Sequence, residues 1–517
     1  MIPLTAYRRR PAALRAAPLA LAVMLALDCR AEVRVVPGLD LRERYTDNVA
    51  LAREGQERGR FVTEIAPSLS ISSNSPSLQL SARYQLRYSI FNDDDLQDTQ
   101  RHTNHLSANA KARLVPEMLY LDAGASIENQ AVSAFGPQDT DNPYVGTNRT
   151  EVRTWRISPY AVHQFGGTAR AILRYAHDSA TSDTVGFGKS DSDTAMFALQ
   201  SGVNFRRWAW SIEASHQSLD DSFAQESDTS NASATLRWNM SQEFSISATG
   251  GYDKYDFHSH EGATEGTFWR VGFAWQPSPR TSLAASIGER FFGRTYYLAA
   301  NHRSRNTTWD ISYNEEVTTS RSQFFLPAAV DTAALLDRLF TPLYPDPLLR
   351  KLAVMAYMRA TGLPPALADQ VNYLSNRYML QKQFMATAMY RTARSSFTLN
   401  LYDVRRRALS RFEADSRLLG NQLATLNDNT RQRGINGFWN WQLTARSALN
   451  VAMTNSRSES LTTGRSDETQ ALGIALTRQF TPRLRAAAEV RHVRGALLSG
   501  DEKYRENSIS ASVSMQF

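Results

Sequence analysis

From Leu78 to Ile90 the chain alternates without a break. Leu78, Leu80, Ala82, Tyr84, Leu86, Tyr88 and Ile90 fall on one side, and Gln79, Ser81, Arg83, Gln85, Arg87 and Ser89 on the other. A repeat of two places successive side chains on opposite faces of an extended strand. The last residues repeat the pattern: Ile509, Ala511, Val513, Met515 and Phe517 share one face, and Glu506, Ser508, Ser510, Ser512, Ser514 and Gln516 the other. Such strands separate an oily phase from a wet one. The wall of an outer-membrane barrel meets that demand, with lipid outside and a watery lumen inside. The final strand of a soluble sandwich is the competing reading.

The beginning of the sequence supports the membrane reading. Arg8, Arg9, Arg10 and Arg15 precede an apolar run from Ala16 to Leu27, and Cys29 and Ala31 stand at the small-residue positions of a cleavage site before Glu32. Residues 1–31 therefore read as a secretory signal cut between Ala31 and Glu32. Asp28 argues against a lipoprotein site at Cys29, and the Arg triplet lacks the rest of a twin-arginine signal. No later stretch approaches the roughly 20 apolar residues of a spanning helix, so any crossing is made by strands. Cys29 is the sole cysteine, which leaves the mature chain without disulfides or thiolate chemistry. Five Arg and one Asp depart with the signal, so most of the formal +7 goes with them. The weakly basic remainder argues against a nucleic-acid partner, for which clustered Lys and Arg are expected.

Comparable alternation recurs at Leu119–Ile127, Ala169–His177, Ala195–Phe205, Phe244–Tyr252, Trp269–Trp275, Leu283–Ile287, Leu472–Leu476 and Leu484–Val490. Short polar joins at 73–76, 115–117, 165–167, 241–243, 277–279 and 481–483 alternate with longer ones. Short periplasmic turns and long extracellular loops are the asymmetry of outer-membrane barrels. Counting back from Phe517 makes 47–60, 92–102, 131–149, 179–193, 218–229, 256–264, 291–302, 407–430, 457–466 and 495–503 extracellular. Residues 331–375 switch to helical spacing, with Asp331 and Asp346 as N-caps, Pro347 at a first helical position and Gly362 as a stop. The organisation is thus signal 1–31 and barrel 32–517, carrying a helical insert at 328–376 that is an extracellular cap, a lumen constriction or a surface decoration. The expected fold is all-β, an antiparallel up-and-down transmembrane barrel of about 22 strands, with 18 or 20 as alternatives. The count of 22 requires a hairpin between 303 and 325 turning at Asn314–Glu316. A barrel this wide is not filled by side chains from its wall alone.

Chemistry is expected on the inward face. Arg83, Arg87, Arg170, Arg174, Arg485 and Arg491, with Arg290, Asp122 and Glu489, point to the lumen in this reading. Rings of Arg select anions in pores, whereas Arg paired with inward carboxylates only braces the wall. Acidic stretches at 92–98, 137–143, 189–193 and 219–222 read as solvated loops, since none has EF-type spacing. His102 with His105, and His258 with His260, lack a third ligand at a diagnostic spacing. No G-x-S-x-G, H-E-x-x-H or phosphate loop occurs, so no catalytic residue, metal or cofactor is assigned and an enzyme is not expected.

Pro37–Leu51 (PGLDLRERYTDNVAL), Phe61–Pro76, Arg321–Pro327 and Leu374–Phe384 resemble a family of outer-membrane barrels associated with the PEP-CTERM/exosortase system, and the RYTDN core is similar to one in a wider group of barrel porins. The resemblance spans the mature chain. It implies a Gram-negative host that makes an exopolysaccharide, a place in the outer membrane beside lipid and lipopolysaccharide, and work alongside export proteins. It supplies no catalytic residues. The expected function is a passive channel serving envelope or exopolysaccharide export, with a non-conducting anchoring barrel and a general import porin as alternatives.

Phe517 and Met515 are read as the signal that the barrel-assembly machinery recognises, Met515 standing where an aromatic is common. Deleting Phe517 is expected to leave the protein in the periplasm for degradation. Fractionation and heat-modifiable migration on gels check this, and normal outer-membrane levels of a folded barrel would refute it.

Overall fold

The computed structural model describes residues 33–92, 101–138, 142, 148–183, 187–222, 226–257, 264–325, 372–410, 420, 422–500 and 502–517. The expected signal and its cleavage site at Ala31 and Glu32 lie outside these residues, as do the helices expected over 331–371, the histidines 258 and 260, and most of the acidic stretch 92–98. All strands belong to one 22-stranded antiparallel sheet. The first eleven are β1 (Val33–Thr46), β2 (Arg60–Asn74), β3 (Leu78–Phe91), β4 (His102–Val115), β5 (Leu119–Ala131), β6 (Arg149–Phe165), β7 (Ala169–Ser182), β8 (Lys189–Ser201), β9 (Trp208–Asp221), β10 (Ser227–Asn239) and β11 (Phe244–Tyr255). The rest are β12 (Glu265–Ser278), β13 (Thr281–Arg290), β14 (Gly293–Arg303), β15 (Thr307–Thr318), β16 (Met379–Arg391), β17 (Ser395–Ala408), β18 (Asn429–Thr444), β19 (Ser447–Ser460), β20 (Ser466–Thr481), β21 (Leu484–Ala496) and β22 (Lys503–Gln516). Each strand pairs with its chain neighbours, and β1 pairs with β22 from Gly38↔Gln516 to Thr46↔Ser508. The sheet is therefore a closed barrel.

The closing seam explains the RYTDN segment, in which Arg44, Thr46, Asp47 and Asn48 reach across it. Arg44 is fully buried on the inward face, 3.5 Å from the Glu506 carboxylate, and donates to Ser508 Oγ at 3.0 Å. Thr46 Oγ1 donates to Glu506 at 2.6 Å. On the outer face Tyr45 packs on Phe61, with ring centroids 4.9 Å apart, while Asp47 accepts from the backbone and side-chain amides of Asn507. Asn48 then turns the chain over, donating to the carbonyls of Ala52 and Arg505 and accepting from the Ala52 amide. A buried ion pair gives little net stability, but it fixes which strands meet and in what register.

The outer face carries large apolar side chains in the open. Leu173, Val490 and Ile509 are 57–60 % exposed, and Trp208, Trp269, Trp275 and Trp441 also stand outward. Water does not tolerate so continuous an apolar band, whereas lipid requires it, with aromatic residues at both interfaces. The chain is an outer-membrane type β-barrel.

Several sequence expectations are corrected. Residues 291–302 are not a loop: Gly293, at φ +113°, completes a two-residue turn and β14 runs from there to Arg303. Adjacent Tyr296 and Tyr297, one outward and one inward, hide its alternation. The chain turns at 304–306, where the Ser304 amide donates to Thr307 O at 2.8 Å, and Asn314–Glu316 lies inside β15. Glu315 faces outward there and meets Lys382 at 3.2 Å, so its charge marks the top of the band and not a turn. The acidic stretches 189–193 and 219–222 belong mainly to β8 and β9, leaving only 183–188 and 222–226 as connections. Similarly, β8 ends at Ser201, and β19 and β20 shorten the loop expected over 457–466 to 461–465. His102 and His105 sit at opposite register parities of β4 and face opposite sides of the wall, so they form no metal pair.

Leu86 and Gln85 test the facing. Leu86→Arg puts a charge into lipid and is expected to destabilise the barrel by about 2–4 kcal/mol if it lies near the midplane. Gln85→Arg faces the lumen beside Asp40, which now accepts the Gln85 amide at 2.8 Å, and is expected to be tolerated. Urea unfolding of refolded protein followed by tryptophan fluorescence distinguishes the two, and equal losses would refute the facing.

Candidate functional site: the lumen and its stopper

All six lumen candidates occupy inward register positions, but they do not form one ladder. Arg83, Arg87 and Arg485 share a recess of about 460 Å³ with Arg42, Asp40, Glu64 and Glu489 on the wall running from β18 through the seam to β3. Arg87 lies 3.7 Å from Glu64, and Arg42 lies 3.1 Å from Glu489. Arg491 is higher on β21, opposite Ser508. Arg170 and Arg174 sit on β7, well round the barrel. Arg174 is braced by Asp122 at 3.0 Å and Ser158 at 2.9 Å, with the Tyr160 ring 4.1 Å away. Arg83 and Arg170 make no hydrogen bond or ion pair among the described residues, and both are exposed to the lumen. The wall is thus partly braced and partly free to meet a solute.

The lumen is wet only below its extracellular end. Near the mouth, inward residues such as Val62, Val152, Asp178, Ala180, Gln381, Thr430 and Asp467 are buried because loops fold in against them. A strap over 372–378 crosses the mouth. At one end the Leu374 amide donates to Ala131 O at 3.1 Å. Tyr373, without solvent exposure, reaches Thr430 Oγ1 at 3.1 Å and Asn427 O at 3.4 Å. At the other end Tyr378 stacks on Phe257, centroids 4.7 Å apart, and shares a 2.8 Å hydrogen bond with Ser227 Oγ. Arg377 holds the middle through Asp428 and the Ser410 carbonyl.

Three further pieces lock against the strap. The helix α1 (Ser320–Phe324) starts on a capping box in which Thr319 and Ser322 each accept the other's backbone amide, and Ser320 Oγ donates to Tyr373 O at 2.7 Å. Arg321 meets Asp178 at 2.6 Å; burial pulls its guanidinium below the ordinary range, and the aspartate acts against that shift. A second short helix over 422–427 supplies Ala424, which packs with Leu374, Phe187 and Val152. From the opposite wall, 131–138 reaches over to β20 and β21. Phe135 is fully buried beneath Arg465, and the Gly136 amide donates to Asp467 at 2.9 Å. Gly136 has φ +85°, and a Cβ there would lie 2.8 Å from Leu498 Cδ1, so only glycine fits.

Sequence reasoning read 328–376 as a cap, constriction or decoration, but gave no part in a stopper to 131–138, α1 or 422–427. The available signals were Phe135, Tyr373, Leu374 and Leu423, large apolar residues in connections where a solvated loop has no use for them.

No family model matches the chain, and no curated protein matches it. Among solved structures it is similar to the siderophore receptor PirA from Pseudomonas aeruginosa, at 10 % identity and TM-score 0.45 over 94 % of this chain and 81 % of that one. It is also similar to a mutant ferric enterobactin receptor PfeA from Pseudomonas aeruginosa (11 %, TM-score 0.47, 94 % and 80 %). The FrpB iron transporter from Neisseria meningitidis is a third such structure (9 %, TM-score 0.47, 93 % and 81 %).

The stopper can be unseated without altering the wall. In a cysteine-free mature chain carrying Ala134→Cys, a position 1 % exposed, the thiol is expected to resist maleimide. Adding Gly136→Val is expected to speed labelling at least tenfold while heat-modifiable migration stays normal. Equal labelling of both forms would show that 131–138 does not seat as described.

Proposed function

We propose that this barrel is an outer-membrane channel with a cation-rich lumen, held shut at its extracellular mouth by its own loops. The observation that carries this reading is the pair Arg83 and Arg170, exposed on the inward face without a carboxylate partner among the described residues. Unpaired guanidinium groups on a lumen wall draw anions through a pore. Anionic polymer or the solutes that accompany its export are then the cargo class. The resemblance of Pro37–Leu51 and Leu374–Phe384 to barrels of the PEP-CTERM/exosortase system supports export of envelope or exopolysaccharide material.

A second reading is favoured by the stopper itself. Tyr373, Leu374 and Phe135 are as buried as the core of a soluble protein. A plug packed this well suits a non-conducting barrel that anchors an extracellular partner.

Planar-bilayer recording separates the two. Wild-type barrel is expected to conduct rarely. Tyr373→Ala with Gly136→Val is expected to give steady openings at least several-fold more often, with a reversal potential in a KCl gradient that reports anion preference. Arg83→Glu with Arg170→Glu in that background is expected to reduce or reverse the preference. No conductance in any form would favour the scaffold.

A further inference from the structure

Above the apolar band, the outward face of β16 to β22 carries basic residues that the lumen does not use. In strand register Lys382 lies opposite Arg405, Arg405 opposite Arg431, Arg433 opposite Arg457, and Arg494 opposite Arg505. Like charges directly opposed across a sheet destabilise it. Some of this charge is met by neighbours. Asp403 accepts from Arg431 and lies 3.7 Å from Arg405, Glu315 holds Lys382 at 3.2 Å, and Glu57 stands 3.6 Å from Arg505. Glu459 and Glu468 occupy the register positions opposite Arg431 and Arg457. Arg433 and Arg494 make no ion pair among the described residues, and Arg457 is held only by a 2.7 Å hydrogen bond to Ser466 Oγ. The two most open pairs, Arg433 with Arg457 and Arg494 with Arg505, are about three strand spacings apart, roughly 14 Å.

Height decides what this face meets. Arg433 follows Ile435 at the top of the apolar face of β18, Arg457 follows Met453 and Asn455 on β19, and Arg494 follows Val490 and His492 on β21. Met453, Leu472, Ile474, Val490 and Ile509, just below, are all more than 40 % exposed outward. The far side of the barrel differs. There Asp191 opposes Asp220 on the same outward face, with Asp228 and Glu265 on the neighbouring strands. Among the described residues of the collar, the far side sets Lys189 and Lys254 among these carboxylates, whereas the β17 to β22 side carries the excess of arginine.

We propose that the outward face of β17 to β22 is a binding site for a phosphorylated glycolipid of the outer leaflet, its phosphates between the Arg433/Arg457 and Arg494/Arg505 pairs and its acyl chains on the apolar wall beneath. Phosphates held by paired guanidinium groups form strong, charge-assisted hydrogen bonds. They also turn two repulsive cross-strand pairs into bridged ones. A soluble polyanion would satisfy the arginines but would gain nothing from the exposed band below them.

The test uses the mature barrel purified from outer membranes in mild detergent, with native mass spectrometry counting retained lipopolysaccharide. Wild type is expected to retain it. The quadruple variant Arg433→Gln, Arg457→Gln, Arg494→Gln, Arg505→Gln is expected to retain at least tenfold less with unchanged heat-modifiable migration. Lys189→Gln with Lys254→Gln, on the far side, is expected to leave retention unchanged. Re-adding purified lipopolysaccharide to stripped wild type is expected to restore binding, and chemically dephosphorylated lipopolysaccharide is not. If the quadruple variant folds and retains as much as wild type, the site is elsewhere. The proposal is also overturned if the dephosphorylated probe binds equally well, or if an acidic polysaccharide without acyl chains competes as strongly as lipopolysaccharide. Should the quadruple variant fail to fold, Arg433→Gln with Arg457→Gln alone is expected to lower retention severalfold, and unchanged retention in that folded pair would refute the proposal.

Discussion

A backbone amide or carbonyl left unpaired in hydrocarbon costs several kcal/mol, so a sheet that enters lipid must have no edge. Everything else in this chain is subordinate to meeting that condition. Twenty-one of the strand contacts come from neighbours in sequence and are joined by turns or loops, but the last one must be made between the two ends of the barrel. That contact has the most demanding register problem, because a slip of one residue would turn every lipid-facing side chain into the lumen. The segment Arg44–Asn48 meets it with alternating devices: charge and hydroxyl on the inside, a carboxylate on the outside, and an asparagine that binds both the turn and the partner strand. A motif that looks chemically suggestive in the sequence is therefore mechanical.

Closure by a ring of this size creates the second problem, a bore too wide for wall residues to fill. The chain fills it only near the extracellular end, and does so with loops. The packing there has the character of a small protein core: rings and aliphatic groups at the centre, and buried cations tied to opposite charges, as with Arg321 to Asp178 and Arg377 to Asp428. Toward the periplasm the same wall turns polar and solvated. One tube thus holds two environments in series, a dry stopper and a wet vestibule.

The barrel was largely legible in the sequence because its rule is local. Alternation needs only neighbours, so Leu78–Ile90 and the final strand could be read directly, and parity carried the sidedness of nearly every join. Reading failed where a side chain broke the local rule for a non-local reason. Glu315 looked like a turn residue because its partner, Lys382, lies beyond the insert. Tyr297 obscured β14 by facing a lumen roomy enough to take a ring. The inward arginines were legible as a set, but which of them are braced depended on carboxylates one or two strands away in the barrel. The stopper had almost no local signature, since Phe135, Gly136 and Asp467 are brought together only by the curvature of the closed wall.

The Ser320 to Tyr373 hydrogen bond joins the two ends of the excursion that runs between them, and both residues are buried. The barrel therefore senses that excursion as a loop already closed at its base. Lengthening a closed loop is thermodynamically mild, about 0.6 kcal/mol for each doubling. The stretch between α1 and the strap is thus a place where related chains can exchange, shorten or extend sequence without disturbing the wall or the stopper. Sequence length can change there at small cost to the tube beneath, making this clasp the natural border between a tolerant excursion and a wall fixed by geometry.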